Sequence, residues 1–309
     1  MNPIPVYLLT GYLGAGKTTV LNNWLGCPEV SSQKTVVLMN EFGDLAVDGN
    51  LVSSHDCDIL ELKQGSLFCV CVKTNFLKIL SKIADELQPE LLLIEATGVA
   101  DVFDIQQIFD LPKLEGKFKI EANVCVVDGV SFTKVVPYLR AVGTQVRWAD
   151  GLLLTKSDLL DPEAERRMLD LLFDLNPRAP QEAITKGDVA WSFIEELEHR
   201  IPPKGESLEP PTDITAWSCR PKKVDLDAFK VAVDSLGENV LRMKGYLDAG
   251  DGPVFVESVC GEWREPIPWT PDEDDESPKS PPIGATFVLW RVDPEKVERT
   301  LKPTWTKKK

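Results

Sequence analysis

The sequence predicts an α/β fold, a P-loop parallel sheet with helices on both faces, followed by a smaller C-terminal α+β domain. Three observations carry this expectation. Short β-branched and aliphatic runs alternate with helical patterns, a glycine-rich turn separates the first run from the first helix, and a proline-rich stretch at 202–211 interrupts the chain. Alternation of this kind builds βα units and a parallel sheet.

The runs lie at 6–10, 35–40, 91–95, 123–128 and 151–155. The first four end in Thr10, Asn40, Glu95 and Asp128. In a doubly wound sheet the carboxyl ends of the strands border the ligand crevice, so these residues are expected along one edge. Directly after the first run, Gly11 to Thr18 read Gly-Tyr-Leu-Gly-Ala-Gly-Lys-Thr, a complete G-x-x-x-x-G-K-[ST] loop. Gly11, Gly14 and Gly16 let the backbone curl so that N–H groups around Ala15 point at phosphates, and the next helix offers its positive N-terminal end. Lys17 then reaches the β- and γ-phosphates and Thr18 ligates Mg²⁺, with Thr19 completing the set. A glycine-rich turn without a ligand is the bland alternative. The first helix shows Val20, Leu21, Trp24 and Leu25 on one stripe and Gly26 as its stop.

Prolines at 202–211 suit neither helix nor central strand, and they divide a first domain at 1–201 from a second at 212–309. The second domain reads as strand 213–218, helix 226–236, strands near 240–247, 254–259, 262–265 and 286–291, and a last helix from Pro294. Acidic and proline-rich residues at 271–282 are expected to form a solvated loop, an acidic docking segment being the sharper alternative.

Bulk properties exclude several classes. With 49 acidic and 34 basic residues, net −15, the chain repels phosphate backbones and anionic membranes, so no nucleic-acid or membrane partner is expected. No apolar run has the length of a membrane span and no basic leader precedes the first strand, which points to a cytoplasmic location. The seven scattered cysteines do not resemble a secreted disulfide framework.

One strand end names the base and another serves magnesium and the γ-phosphate. Residues 155–158 read Thr-Lys-Ser-Asp, an [NT]-K-x-D pattern. Asp158 can accept from N1–H and the 2-amino group of guanine, donors that adenine lacks, while Lys156 lays its stem over the purine and Thr155 pins the loop. The alternative makes Asp158 a helix N-cap. At 95–98, Glu95 can hold the magnesium hydration shell, and Gly98 lets a backbone N–H approach the γ-phosphate.

Together these segments resemble the CobW-type GTPases, a SIMIBI-class branch related to the nickel-insertion GTPases of urease and hydrogenase maturation. The resemblance rests on GYLGAGKTT at 11–19, NEFGD at 40–44, ELKQG at 61–65, EATGVAD at 95–101, TKSD at 155–158 and NPRA at 176–179, with a weaker R-x-K-G match at 242–245. It implies slow GTP hydrolysis that drives a conformational cycle, a C-terminal domain of the CobW type, and for many members a metallochaperone role, often for zinc. It also implies that Thr185 lies in the last guanine-contacting loop.

The chain departs from the family at its G-C-x-C-C motif, which here reads Gly65, Ser66, Leu67, Phe68, Cys69. Zn²⁺ usually takes four N or S ligands, which serine and phenylalanine do not supply. Cys71 follows Cys69 by two residues, so in an extended segment both thiols would face one side and could hold Zn²⁺ or Co²⁺, with Glu41, Asp44, His55 or Cys57 completing the set. Packing of both residues in a helix approach is the alternative. Three functions follow: a GTPase that activates or loads a client metalloenzyme or cofactor-dependent protein, a zinc or cobalt metallochaperone with a shifted site, and, weakest, a P-loop small-molecule kinase. A homodimer is a further candidate assembly.

Overall fold

The computed structural model describes residues 2–40, 58–62, 70–96, 98, 102–136, 140–201, 214–270 and 280–305. The chain divides into two compact units that part between residues 210 and 211. The 202–211 stretch and most of the acidic segment, 271–279, lie outside the described residues.

In the first unit, β1 (Ile4–Gly11), β2 (Thr35–Asn40), β3 (Asp58–Leu62), β4 (Leu91–Glu95), β5 (Phe118–Asp128), β6 (Gly151–Thr155) and β7 (Gln181–Ala183) form a seven-stranded sheet in the order β3-β2-β4-β1-β5-β6-β7. Every pairing is parallel. The helices are α1 (Lys17–Gly26), α2 (Pro28–Ser31), α3 (Val70–Lys82), α4 (Val102–Phe109), α5 (Phe132–Val135), α6 (Arg140–Arg147), α7 (Pro162–Leu175) and α8 (Trp191–Glu195). Alternation along β1 feeds two cores. Leu9 packs with Val20, Leu21, Trp24 and Trp191 on one face, and Val6 and Leu8 pack with Phe76, Leu80 and Ile105 on the other. The Trp191 ring sits edge-on to Tyr7 and Trp24, with centroids 5.1 and 5.6 Å away.

A buried polar chain closes this unit beside the first core. Thr10 donates to Asn123 Oδ1 at 2.9 Å, and the Asn123 backbone N–H donates to Asp150 Oδ2 at 2.7 Å. His199 Nδ1 lies 2.7 Å from the same oxygen, the Arg200 backbone N–H donates to Asp150 Oδ1 at 2.9 Å, and His199 Nε2 is 3.0 Å from Gln106 Oε1 on α4. Thr10 therefore turns inward at the strand end instead of bordering the crevice. Asn176, the first residue of NPRA, also serves the fold. Its amide donates to Val146 O and Ala149 O at 2.8 and 2.9 Å, joining the ends of α6 and α7.

The second unit contains β8 (Ile214–Cys219), α9 (Leu226–Asp234), β9 (Val240–Asp248), β10 (Pro253–Val259), β11 (Glu262–Trp263), β12 (Ile267–Pro268), β13 (Gly284–Trp290) and α10 (Pro294–Leu301). Its antiparallel sheet runs β11-β10-β9-β13-β8, with β12 also pairing β10. Phe229 and Val233 of α9 and Val297 and Leu301 of α10 meet Met243, Leu247, Val256 and Phe287 in the core. Asp225 and Asp293 cap the two helices, and Pro294 occupies a first-turn position where its missing N–H costs nothing. The R-x-K-G residues lie on β9, where Arg242 donates to Glu257 Oε1 at 2.7 and 3.0 Å. Arg264 reaches the other oxygen of Glu257 at 2.7 Å.

Candidate nucleotide site

The phosphate loop joins β1 to α1, and its geometry follows from its glycines. Gly14 and Gly16 sit at φ 77° and 97°, in the left-handed region that side chains disfavour, and Gly16 is the N-cap from which α1 starts. Lys17 is the first residue of that helix and is buried. Its Nζ donates to Gly11 O at 3.1 Å and Tyr12 O at 3.2 Å, so the ammonium lies over the loop where phosphate oxygens would gather.

The next strand over supplies the acid. Glu95 ends β4, which pairs β1 with Leu9 opposite Glu95, and Thr18 donates to Glu95 Oε1 at 3.1 Å. A hydroxyl and a buried carboxylate brought together beside a phosphate loop form a hard-oxygen pair of the kind Mg²⁺ prefers. Gly98 packs on the loop itself: a Cβ there would stand 2.5 Å from the Leu13 backbone nitrogen. Only a residue without a side chain permits this approach.

At the other end, Thr155 closes β6 and its hydroxyl donates to Ala15 O at 2.6 Å. Thus the TKSD segment is pinned to the phosphate loop. Lys156 has φ 58° and forms an ion pair with Asp128 at the end of β5. Asp158 lies exposed in a short 3-10 turn, Ser157–Leu159. Asp161, not Asp158, caps the following helix, accepting from the Ala164 N–H at 2.8 Å. The N-cap alternative for Asp158 is therefore removed. Ser157 donates to Ile184 O at 3.1 Å and lies 3.3 Å from Thr185 Oγ1, bringing exposed Thr185 beside the TKSD turn. Asn23 of α1 donates to Lys186 O at 2.9 Å from the opposite side. Thr19, on the exposed side of α1, shares its first turn with Lys17 and Thr18.

The structure thus brings together Gly11, Gly14, Ala15, Gly16, Lys17, Thr18, Glu95 and Gly98 at one end, and Thr155, Lys156, Asp158 and Thr185 at the other. Asp128 and Asn23 join them without a role having been read from the sequence. Asp128 was legible as a polar strand end, whereas nothing in local sequence marks Asn23.

The cysteine site divides differently. Glu41 and Cys69, with Asp44, His55 and Cys57, lie outside the described residues. Cys71 falls in α3, Val70–Lys82, so the extended geometry that would align it with Cys69 does not hold at Cys71. Among the described residues no group of three or more His, Cys, Asp or Glu side chains is arranged to hold a metal ion. Burial pushes the Cys125 and Cys219 thiols up to about 12, and burial followed by Glu29 and Asp188 raises that of Cys27, so none of these three is disposed to act as a thiolate ligand. No described helix is long and apolar enough to cross a membrane.

A family described as CobW/HypB/UreG, nucleotide-binding domain, matches residues 5–182. The chain belongs to this family. Among its CobW-type relatives, it is 37% identical over 202 residues to the zinc chaperone YjiA of Escherichia coli, covering 63% of this chain and 61% of that protein. It is 34% identical over 176 residues to the zinc-regulated GTPase metalloprotein activator 1 of Schizosaccharomyces pombe, covering 53% and 41%. The aligned regions therefore span less than two thirds of these relatives' own lengths. The solved structure of Zn(II)-bound YjiA GTPase from E. coli aligns over 99% of this chain and 100% of that chain, with 25% identity and a TM-score of 0.48.

Proposed function

We propose that this CobW-family chain binds and slowly hydrolyses GTP, and uses the resulting conformational cycle to activate or load a client metalloprotein. In this reading the nucleotide domain occupies 1–201 and a C-terminal domain 212–309, joined through 202–211. The observation that carries it is the pairing of Thr18 with Glu95 at 3.1 Å beside Lys17, with Thr155 tying the base end to the same loop at 2.6 Å. Magnesium, when bound, neutralises charge on the phosphate oxygens, and Thr18 and Glu95 are the residues that would hold it. Lys17 exchanges its loop carbonyls for β- and γ-phosphate oxygens. Gly98 keeps a backbone N–H close to the γ-phosphate, and Asp158 accepts from the guanine edge. Phosphoryl transfer then rests on positioning and charge, with no covalent role for the protein.

The test is release of labelled inorganic phosphate from GTP with Mg²⁺. Lys17→Ala is expected to abolish it, and a variant that turns over at the normal rate would place the activity elsewhere. Appearance of a phosphorylated metabolite would favour a kinase.

The zinc or cobalt metallochaperone reading is favoured by the names of the relatives, where the metal is cargo. It requires a site built from Cys69, Cys71 and Glu41. Replacing both cysteines by serine leaves GTP hydrolysis unchanged in the client-activator reading. One tightly held zinc per chain, lost in that double variant, would instead establish the metallochaperone.

A further inference from the structure

We infer that Asp128 is a positioning residue for guanine-nucleotide binding, acting through Lys156. The inference rests on the guanine reading of residues 155–158 and adds a residue that reading does not contain.

The observations converge from both sides of the ion pair. Asp128 is the last residue of β5, and its side chain is 2% exposed. One carboxylate oxygen, Oδ1, accepts from the backbone N–H groups of Val130 and Ser131 at 2.9 and 3.2 Å, which fixes the carboxylate plane. The other, Oδ2, is left to take the Lys156 ammonium. The intervening Gly129 donates its N–H to Thr155 O at 3.0 Å, so the turn after β5 is stitched to the residue before Lys156. Lys156 itself leaves β6 in the left-handed conformation and remains 22% exposed. Its ammonium is held by Asp128, and in the guanine reading the stem behind it is what covers the base.

The chemical consequence concerns order. A lysine stem that covers a purine must lose its rotamer freedom when the base arrives, and flexible side chains of this kind carry a substantial entropy. With the ammonium already held by a fixed, buried carboxylate, that loss is taken at folding. The covering surface is then ready before the nucleotide binds. A buried carboxylate is an expensive way to hold a surface lysine if fold stability were its only role, because removing Asp128 from water costs more than a solvated pair returns.

The effect should be blind to the edge of the base. A stem over the ring plane meets guanine and hypoxanthine alike, whereas Asp158 senses the 2-amino group that only guanine has. This separates the two carboxylates experimentally.

Asp128→Asn keeps an oxygen for Val130 and Ser131 and removes the charge that holds Lys156. Stopped-flow release of a fluorescent GDP analogue is expected to accelerate about tenfold, with GDP and IDP weakened by the same factor and the circular dichroism spectrum unchanged. In a Lys156→Met background the same Asn change should add nothing, because its route is already cut. Multiplying effects in that double variant, or an unchanged release rate in Asp128→Asn, would overturn the inference. Failure of the guanine reading has a different signature: the unaltered protein would bind GDP and ADP alike. Failure of the Asp128 inference leaves that preference intact.

Discussion

In the proposed guanine reading, Asp158 is the residue on which the choice of nucleotide turns. It stands exposed in its 3-10 turn, next to Ser157, whose hydroxyl lies 3.3 Å from Thr185 Oγ1. Removing its carboxylate leaves the guanine N1–H and 2-amino donors without acceptors, at about 1–3 kcal/mol each. Asp158→Ala is therefore expected to weaken GDP binding by about thirtyfold to ten-thousandfold while ADP binding stays as weak as before, measured by calorimetric titration of both. Asp158→Asn should gain affinity for xanthine nucleotides. The carboxylate, the lysine and the phosphate loop were all legible because their spacing along the chain is fixed by one turn of backbone. The pairing of Asp128 with Lys156 and the contact of Asn23 were not, since each meets its partner only after the sheet and α1 have assembled; Asp128 lies 28 positions before Lys156, and Asn23 163 before Lys186.

Among strands and helices, burial decides what can be read. β4 and β6 are buried at every residue, and such interior parallel strands read as unbroken apolar runs. β3 and β7 stand at the two edges of the sheet; Asp58 and Glu61 interrupt Ile59, Leu60 and Leu62 in β3, and Gln181 and Glu182 fill most of β7, so neither shows the unbroken apolar run that marks the others. For the same reason β5 begins at Phe118, ahead of its apolar core, in a stretch where Lys119 and Glu121 interrupt the pattern. At this scale two outcomes are expected. Gly98→Ala should drive a methyl group into the Leu13 backbone 2.5 Å away, displacing the phosphate loop, so that GTP affinity and phosphate release fall together while β4 remains folded. Between β9 and β10, burial would push Glu257 up, but Arg242 and Arg264, aided by Lys244, outweigh it and hold the carboxyl below its ordinary range. A carboxylate lowered in the folded state adds stability above its unfolded value of about 4.3, and that contribution is lost as pH falls through the folded value. Urea midpoints followed from neutral pH into acid should therefore decline less steeply for Glu257→Gln than for the unaltered protein below about pH 4. Parallel curves would mean that Glu257 carries no such linkage.

Across the whole molecule, an excess of acidic residues giving net −15 coexists with a nucleotide site whose own charges are locally balanced, with Lys17 over the loop and Lys156 against Asp128. In the proposed function, that net charge disfavours polyanions, while the phosphate loop draws on backbone N–H groups and a helix end to attract a small one. Domain dissection meets a boundary here that the family match does not reveal. The match stops at residue 182, soon after the last strand of the sheet begins, yet Asp150 receives His199 and the Arg200 backbone, and Trp24 receives Trp191. A chain cut after Ala183 would strip the first core of Trp191 and Ile194 and leave the Asp150 carboxylate facing its own interior, losses of several kcal/mol against a stability of about 5–15. Such a fragment is expected to lack a cooperative urea transition and to bind no GDP, whereas one ending at residue 201 should show both. Helix α8 and the His199–Arg200 pair act as a clasp sewn on after the garment is cut, and a shortened gene that respects only the recognisable motifs would discard it.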